Sequence, residues 1–286
     1  MRRANQITSV HNPRVGKVLK LRRHRYRQAL GLFIAEGPRE VGRAMDANLR
    51  FNQLYTCPDL LGRHVSDPHW PMRLNDRLDD SVECFEVNER VLRSMTYRAN
   101  PEGVLAVIEQ PNWHIDQLPQ VNNQTIYLVA VETTKPGNLG AMVRTADVAG
   151  CHAVFAADTA VDAFNPNAIR SSTCAVYTTP TLIADARVVI DFLEARLIRI
   201  VAATANPKHA IPHTEANLSG PVAIVVGPED GVLSDHWLQA ADQTGGSQVT
   251  VLMNGRSADS LNASVVAGIL MFEAQRQHGL KEKPSD

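Results

Sequence analysis

Apolar residues along this chain follow two different rhythms, which change over near residue 111. Before that point the runs are short. Residues 33–34, 53–56, 84–87 and 104–109 each fit a brief strand. Helical spacing falls between them over residues 38–45 and 88–94, where Asn88 is placed to cap. Residues 14–30 read as one helix, with Val15, Val18, Leu19 and Tyr26 inward and the basic residues outward. Residues 62–80, rich in His, Pro, Asp and Arg, read as a loop with a short helix. Short strands alternating with helices predict a small α/β domain over residues 1–110.

Residues 111–125 hold two prolines and a run of Asn and Gln, and they read as a linker. From residue 126 the runs become continuous. IYLVAV at 126–131 is followed by similar runs at 153–157, 197–203, 222–226 and 249–253. Helical patterns lie between and after them at 139–149, 185–195, 234–240 and 261–275. Apolar strands without alternation, separated by helices, predict a parallel sheet covered on both faces over residues 126–286.

Composition is that of a soluble globular chain, with 44% hydrophobic and 21% charged residues. No apolar run reaches the roughly 20 residues of a membrane span, and no signal-peptide core follows the N-terminal basic residues. No membrane association is therefore expected. Four cysteines without a CxxC pair and ten histidines without HExxH spacing point to free thiols in the cytoplasm and to no metal site.

Charge changes the picture more. The net charge is -1, yet residues 1–27 carry nine Lys and Arg and no acid, so the remainder sums to -10. A one-sided basic segment suits a polyanion, with nucleic acid first. A solvated basic helix is the plainer alternative.

Three strand-to-helix turns could carry chemistry. Glu132–Gly150 places Asn138 as a helix N-cap, with Arg144 one to two turns further on. Residues 222–237 end a strand at Gly227 and follow it with Glu229 and Gly231, so that a ligand could approach the backbone. Residues 249–273 run strand, loop and helix, with Ser260 placed to cap and Asn262 in the first turn. Neither G-x-G-x-x-G nor a GxxxxGK[ST] phosphate loop is present, which disfavours a dinucleotide oxidoreductase. Each turn alone has an ordinary reading: a capped core helix, an exposed arginine, a surface carboxylate.

Taken together and in this order, the stretches resemble the SpoU/TrmH family of RNA ribose 2'-O-methyltransferases, in the SPOUT class. The matching residues are N-L-G-x-x-x-R-T-A at 138–146, G-P-E-x-G at 227–231 and S-L-N at 260–262 before an apolar helix ending in Glu273. Asn165-Pro166-Asn167-Ala168-Ile169-Arg170-Ser171-Ser172 is similar to the segment between the first two motifs. Asn12-Pro13-Arg14 and the later G-L-F-I-A-E-G at 31–37 are similar to the substrate-binding domain that precedes many of these enzymes.

The resemblance implies an α/β chain whose C-terminal parallel-sheet domain forms a deep trefoil knot, preceded by a small α/β RNA-binding domain. It implies S-adenosylmethionine held by Thr204, Ala205, Gly227, Val251, Met253, Ser260 and Leu261. It places Asn138, Arg144, Glu229, Ser172 and Asn262 at the reacting ribose, with Arg144 either taking the 2'-hydroxyl proton or gripping a phosphate. Arg14, Lys17, Arg22, Arg23, Arg25 and Arg170 would contact RNA, with ribosomal RNA of the large subunit favoured over tRNA. A homodimer would complete the active site. A non-catalytic RNA-binding protein on the same fold is the second reading. Three positions depart from the family pattern: the third motif has Leu252 where proline is usual, its loop to Ser260 is longer, and Cys174 replaces a glycine.

Overall fold

Contacts in the computed structural model divide the chain into two units, Met1–Asn112 with Phe164–Pro166, and Trp113–Ala163 with Asn167–Asp286. The structure describes residues 5–65, 67, 70–204, 210–228, 231–255 and 260–279.

In the first unit a five-stranded mixed sheet runs β1-β4-β3-β5-β2. Its strands are β1 (Asn5–Ile7), β2 (Leu32–Glu36), β3 (Phe51–Thr56), β4 (Glu83–Val87) and β5 (Val104–Glu109). Only β5 runs against its neighbours, pairing antiparallel with both β2 and β3. The helices are α1 (Pro13–Lys20), α2 (His24–Leu30), α3 (Gly37–Asp46), α4 (Pro58–His64), α5 (Trp70–Arg77) and α6 (Glu89–Met95). Val15, Val18 and Leu21 bury against Tyr55, Phe85, Leu92 and Met95 to form the core.

The single helix expected over 14–30 is two helices. Continued straight, it would carry Arg22 rather than Leu21 on the face of Val15 and Val18. The break lets Leu21 bury to 3% exposure and frees its carbonyl, which the Arg27 guanidinium caps at 2.7 Å. Arg27, expected to face outward, is therefore buried. Residues 62–80 likewise hold more order than expected, since α4 extends to His64 and α5 follows. The strand β1 has no sequence signal either; three residues are too few to show a period.

The second unit is built on seven strands, all parallel, in the order β10-β12-β9-β11-β6-β7-β8. They are β6 (Ile126–Val131), β7 (Ala153–Ala157), β8 (Thr181–Ala184), β9 (Arg199–Ala203), β10 (Ile211–Pro212), β11 (Val222–Val226) and β12 (Ser247–Thr250). Every residue of β6, β7 and β11 is buried, as continuous apolar runs require. One face is covered by α9 (Ala186–Ala195) and α10 (Asp235–Gln243), which bury Phe155, Leu193 and Trp237. Each apolar side chain of that size contributes roughly 1.5–3 kcal/mol on burial. The other face carries α7 (Pro136–Val148) and α11 (Ala263–Gln277), packed on each other and on β6. The short helix α8 (Pro166–Ser171) and the edge strand β8 go beyond the elements expected from the sequence. Residues 111–125 are not a free tether. Trp113, Ile115, Leu118 and Val121 pack against the second unit's core.

Two strands differ from expectation at their ends. β9 begins at Arg199 because Leu197 takes a left-handed turn at φ 55° and is 89% exposed. β12 stops at Thr250 rather than 253, because its ladder with β9 ends at Val249 and Ala203 and its ladder with β10 ends at Thr250 and Pro212. Among the described residues no helix is long and apolar enough to cross a membrane.

Candidate active site

Three parallel strands, β9, β11 and β12, end side by side, and the start of α11 closes over them. The space between is an open cleft of about 690 Å³. Its lining includes Ala203 and Thr204 at the end of β9, Val226 and Gly227 at the end of β11, Val251 and Met253 after β12, and Ser260, Leu261, Ala263 and Val266 at α11. Ligands of α/β sheets bind outside the carboxyl ends of strands where chain order reverses. Here β11, late in the chain, sits between β6 and β9, which is such a point.

Six of the seven expected cofactor residues, Thr204, Gly227, Val251, Met253, Ser260 and Leu261, line this one cleft. Ala205 lies outside the described residues, as does Glu229. The lining is mostly apolar, with backbone groups at the strand ends beyond the ladders. Thr204 is nearly buried, and its amide donates to the Val249 carbonyl at 2.9 Å, which holds β9 and β12 together at the mouth. Gly227 is closely packed, since a Cβ would lie 3.0 Å from Leu233 Cγ and that side chain would have to shift. Val226, Pro228, Val232, Leu233, Ala263 and Val266 also line the cleft, and sequence reasoning does not single them out. Small or apolar residues near strand ends carry no chemical signal of their own.

Asn262 borders the cleft beside Leu261. Its Nδ2 donates to Asn138 Oδ1 at 3.4 Å, which brings the first and third motifs together. Two capping expectations are corrected here. The α11 cap is Asn262, whose Oδ1 accepts from Ser264 N at 2.9 Å, and Ser260 is left on the cleft wall. The α7 cap is Lys135, with Pro136 at the first helical position where its missing N–H is not needed. Asn138 is thus one turn in, and its side chain remains for the partner on α11.

Gly140 is required by close packing. A Cβ there would lie 2.0 Å from Ser171 Oγ and 2.4 Å from the Ala168 carbonyl oxygen. This contact sets α8 against α7. Ser172, expected at the ribose, is fully buried, and its hydroxyl donates to the Ile169 carbonyl at 2.9 Å. It finishes the turn after α8 and does not face a ligand. The turn continues through Thr173 and Cys174 at φ 52° and 75°. The second value is one that glycine adopts freely and cysteine does not, which explains the family's usual residue there.

Arg144 is exposed on α7. At 3.6 residues per turn it sits about 9 Å along the helix from Asn138 and about 120° round it. No hydrogen bond joins it to Asn138 or Asn262 among the described residues. Arg170 is exposed at the end of α8. Among the basic residues of the first unit, Arg14 pairs with Glu83 at 2.7 Å and lies over Phe85, while Arg22 donates to the Ser94 carbonyl at 3.1 Å and to that of Thr96. Lys17, Arg23 and Arg25 are exposed, Arg25 against the Tyr26 ring.

Comparison with known proteins gives the class of this site. Residues 125–272 match the SpoU rRNA Methylase family, and residues 12–106 match the MRM3-like substrate binding domain. The chain belongs to the SpoU family. It is 26% identical to the 23S rRNA (guanosine(2553)-2'-O)-methyltransferase RlmP of Bacillus subtilis, over 93% of this chain and 98% of that one. It is 32% identical to the 23S rRNA (uridine(2479)-2'-O)-methyltransferase of Streptomyces viridochromogenes, a match spanning 62% of this chain and 61% of that one. The fold superposes with a TM-score of 0.81 on an AdoMet-bound rRNA methyltransferase from Sinorhizobium meliloti, which is 27% identical over 96% of this chain and 98% of that one.

Proposed function

We propose that this chain transfers a methyl group from S-adenosylmethionine to a ribose 2'-hydroxyl of large-subunit ribosomal RNA. One observation carries the reading: six residues from the second and third motifs and the end of β9 line a single cleft, and Asn138 of the first motif meets Asn262 at its edge. The cleft's lining suits the donor, being mostly apolar with a few polar groups at the strand ends. Apolar walls suit an adenine ring, and main-chain groups at the strand ends suit its polar edge. When bound, the donor supplies an electrophilic methyl on a sulfonium.

The protein's part is alignment and proton removal. Holding the hydroxyl in line supplies much of the acceleration. Asn138 and Asn262, fixed against each other, orient the ribose. Arg144 either accepts the hydroxyl proton or anchors the adjacent phosphate. A guanidinium keeps its proton in ordinary surroundings, so the anchoring role is the less demanding. Arg170 contacts phosphate, and Lys17, Arg23 and Arg25 draw in the RNA backbone. Both rRNA-named relatives and the substrate-domain match support ribosomal RNA over tRNA.

Two structural elements of the reading have their own support. A deep trefoil knot is consistent with β11 inserted between β6 and β9 and with the chain after β12 returning to cover α7. A homodimer is supported by Val265 and Phe272, exposed at 47% and 45% and two turns apart on one face of α11, and by Val148, exposed on the α7 helix that packs against it. A second copy on that face would bring its residues to Arg144. The family resemblance and the free state of all four cysteines support a cytoplasmic protein.

The test is tritiated-methyl transfer from S-adenosylmethionine to RNA of a strain lacking the gene, followed by mapping of the labelled ribose. Label on one 2'-oxygen of large-subunit RNA is expected. Binding of RNA without any transfer would leave only the non-catalytic reading.

A further inference from the structure

In the first unit, the loop joining α6 to β5 is held more firmly than its length requires. The amides of Tyr97 and Arg98 both donate to the Glu36 carboxylate, the second at 3.1 Å. Arg98 in turn reaches Glu40 at 2.6 Å and Glu102 at 2.8 Å. Glu36 and Glu40 are 3% and 5% exposed. Arg93 donates to the Ala99 carbonyl at 2.6 Å, and the Thr96 hydroxyl bonds the Arg98 carbonyl at 3.2 Å. Arg22 reaches across from the α1–α2 turn to the carbonyls of Ser94 and Thr96. Burying carboxylates costs free energy unless they are well paired, and this network fixes the backbone of residues 94–102.

On this rigid loop the Tyr97 side chain is 51% exposed. The guanidinium of Arg22 bonds the carbonyl just before it, which brings the start of the basic turn to the tyrosine's loop, and exposed Arg23 and Arg25 follow in that turn. We propose that Tyr97 is a stacking platform for an unpaired base of the RNA, with the basic turn holding the neighbouring phosphates. A preformed aromatic beside arginines is the chemistry that recognises single-stranded nucleic acid. A protein-binding face would show further large apolar residues. Leu30 and Met72 are the other such residues exposed among those described in this unit, and neither is on this loop.

The inference rests on the methyltransferase reading and adds a base-contacting residue to it. The experiment is filter binding of the full-length chain to large-subunit rRNA extracted from bacterial ribosomes, across a salt series. Tyr97→Ala is expected to weaken binding about tenfold, the scale of one base stack. Tyr97→Phe is expected to bind like the parent, and Tyr97→Leu like the alanine variant, since it keeps apolar bulk without a π-face. The leucine variant decides the matter if alanine disturbs folding. Stacking releases no counterions, so the loss is equal at low and high salt and the slope of log K against log[salt] is unchanged. Tyr97→Leu binding within about twofold of the parent, or a loss seen only at low salt, overturns the stacking role alone. A parent chain that neither binds RNA nor transfers methyl overturns both readings.

Discussion

Asn262 donates through Nδ2 to Oδ1 of Asn138 at 3.4 Å, across 124 residues of sequence, while its own Oδ1 caps α11 through Ser264 N. One side chain therefore holds a helix end and a site residue at once, and the two roles separate by mutation. Asn262→Ser keeps a capping oxygen but cannot reach Asn138. It is expected to unfold within a few degrees of the parent and to lose most methyl transfer. Asn262→Ala removes the cap as well and costs about 1 kcal/mol more. Thermal unfolding and transfer assays on the pair check this. An active Asn262→Ser variant would remove the Asn138 contact from the mechanism.

Arg144 has a different profile. It is exposed and contributes little to the core, so Arg144→Ala is expected to fold and to bind S-adenosylmethionine as the parent does. Its methyl transfer is expected to fall by about 100-fold or more, the scale of lost proton transfer or positioning. Calorimetry for the donor beside single-turnover transfer measures both. Near-normal turnover would exclude Arg144 from either role.

Gly140 gives a packing prediction. A methyl group there meets Ser171 Oγ and the Ala168 carbonyl, and the second is backbone that cannot rotate away. Gly140→Ala is expected to cost about 1–3 kcal/mol. Adding Ser171→Ala should restore only part of it, because the carbonyl clash remains. Full recovery in the double variant, read by denaturant midpoints, would show that the hydroxyl alone sets the spacing.

How far the sequence carries the fold follows from what each signal encodes. The run IYLVAV, short, unbroken and rich in β-branched residues, reads as a strand buried on both faces, and β6 is one. The six cleft residues are found through three motifs together, because the backbone groups they present leave no trace in any single side chain. The break at Leu21 is hidden because no Gly or Pro marks it; burial of Leu21 and capping by Arg27 decide it, and both are tertiary. Ser172 misleads for a related reason. Two adjacent serines fit the motif equally, and only the turn geometry shows that Ser172 points inward to the Ile169 carbonyl.

The basic turn separates into structural and electrostatic parts. Arg22 is bonded to two carbonyls at the end of α6, whereas Arg23 and Arg25 are exposed and make no such bonds to backbone among the described residues. Replacing Arg23 and Arg25 with Ala is expected to leave stability unchanged and to flatten the salt dependence of RNA binding by roughly 0.7–0.9 for each phosphate left without its arginine. Arg22→Ala should lower the unfolding midpoint as well. An unchanged slope in the double variant would place the RNA contact elsewhere.

The end of α11 predicts an acid-sensitive joint. Glu273 accepts from Arg276 Nε and Nη2 at 2.9 and 2.8 Å and from Gln277 Nε2 at 2.8 Å. Gln277 continues to Leu218 N and the Ala216 carbonyl, so the carboxylate helps fasten the helix to the segment before β11. The Arg276 hydrogen bond outweighs the opposing effect of burial and, with Gln277 and the positive charge of Arg276, pulls the Glu273 pKa down to about 2. An unfolded glutamate titrates near 4.3. The folded value is the lower one, so the stabilisation is fully present above about pH 4.3 and is lost as pH falls toward about 2. Glu273→Gln is therefore expected to be less stable than the parent at neutral pH, with the gap closing across that window. Urea midpoints of the two chains from neutral pH down to pH 2 measure it. A gap that stays constant with pH would mean that packing of the side chain, and not its charge, holds the joint.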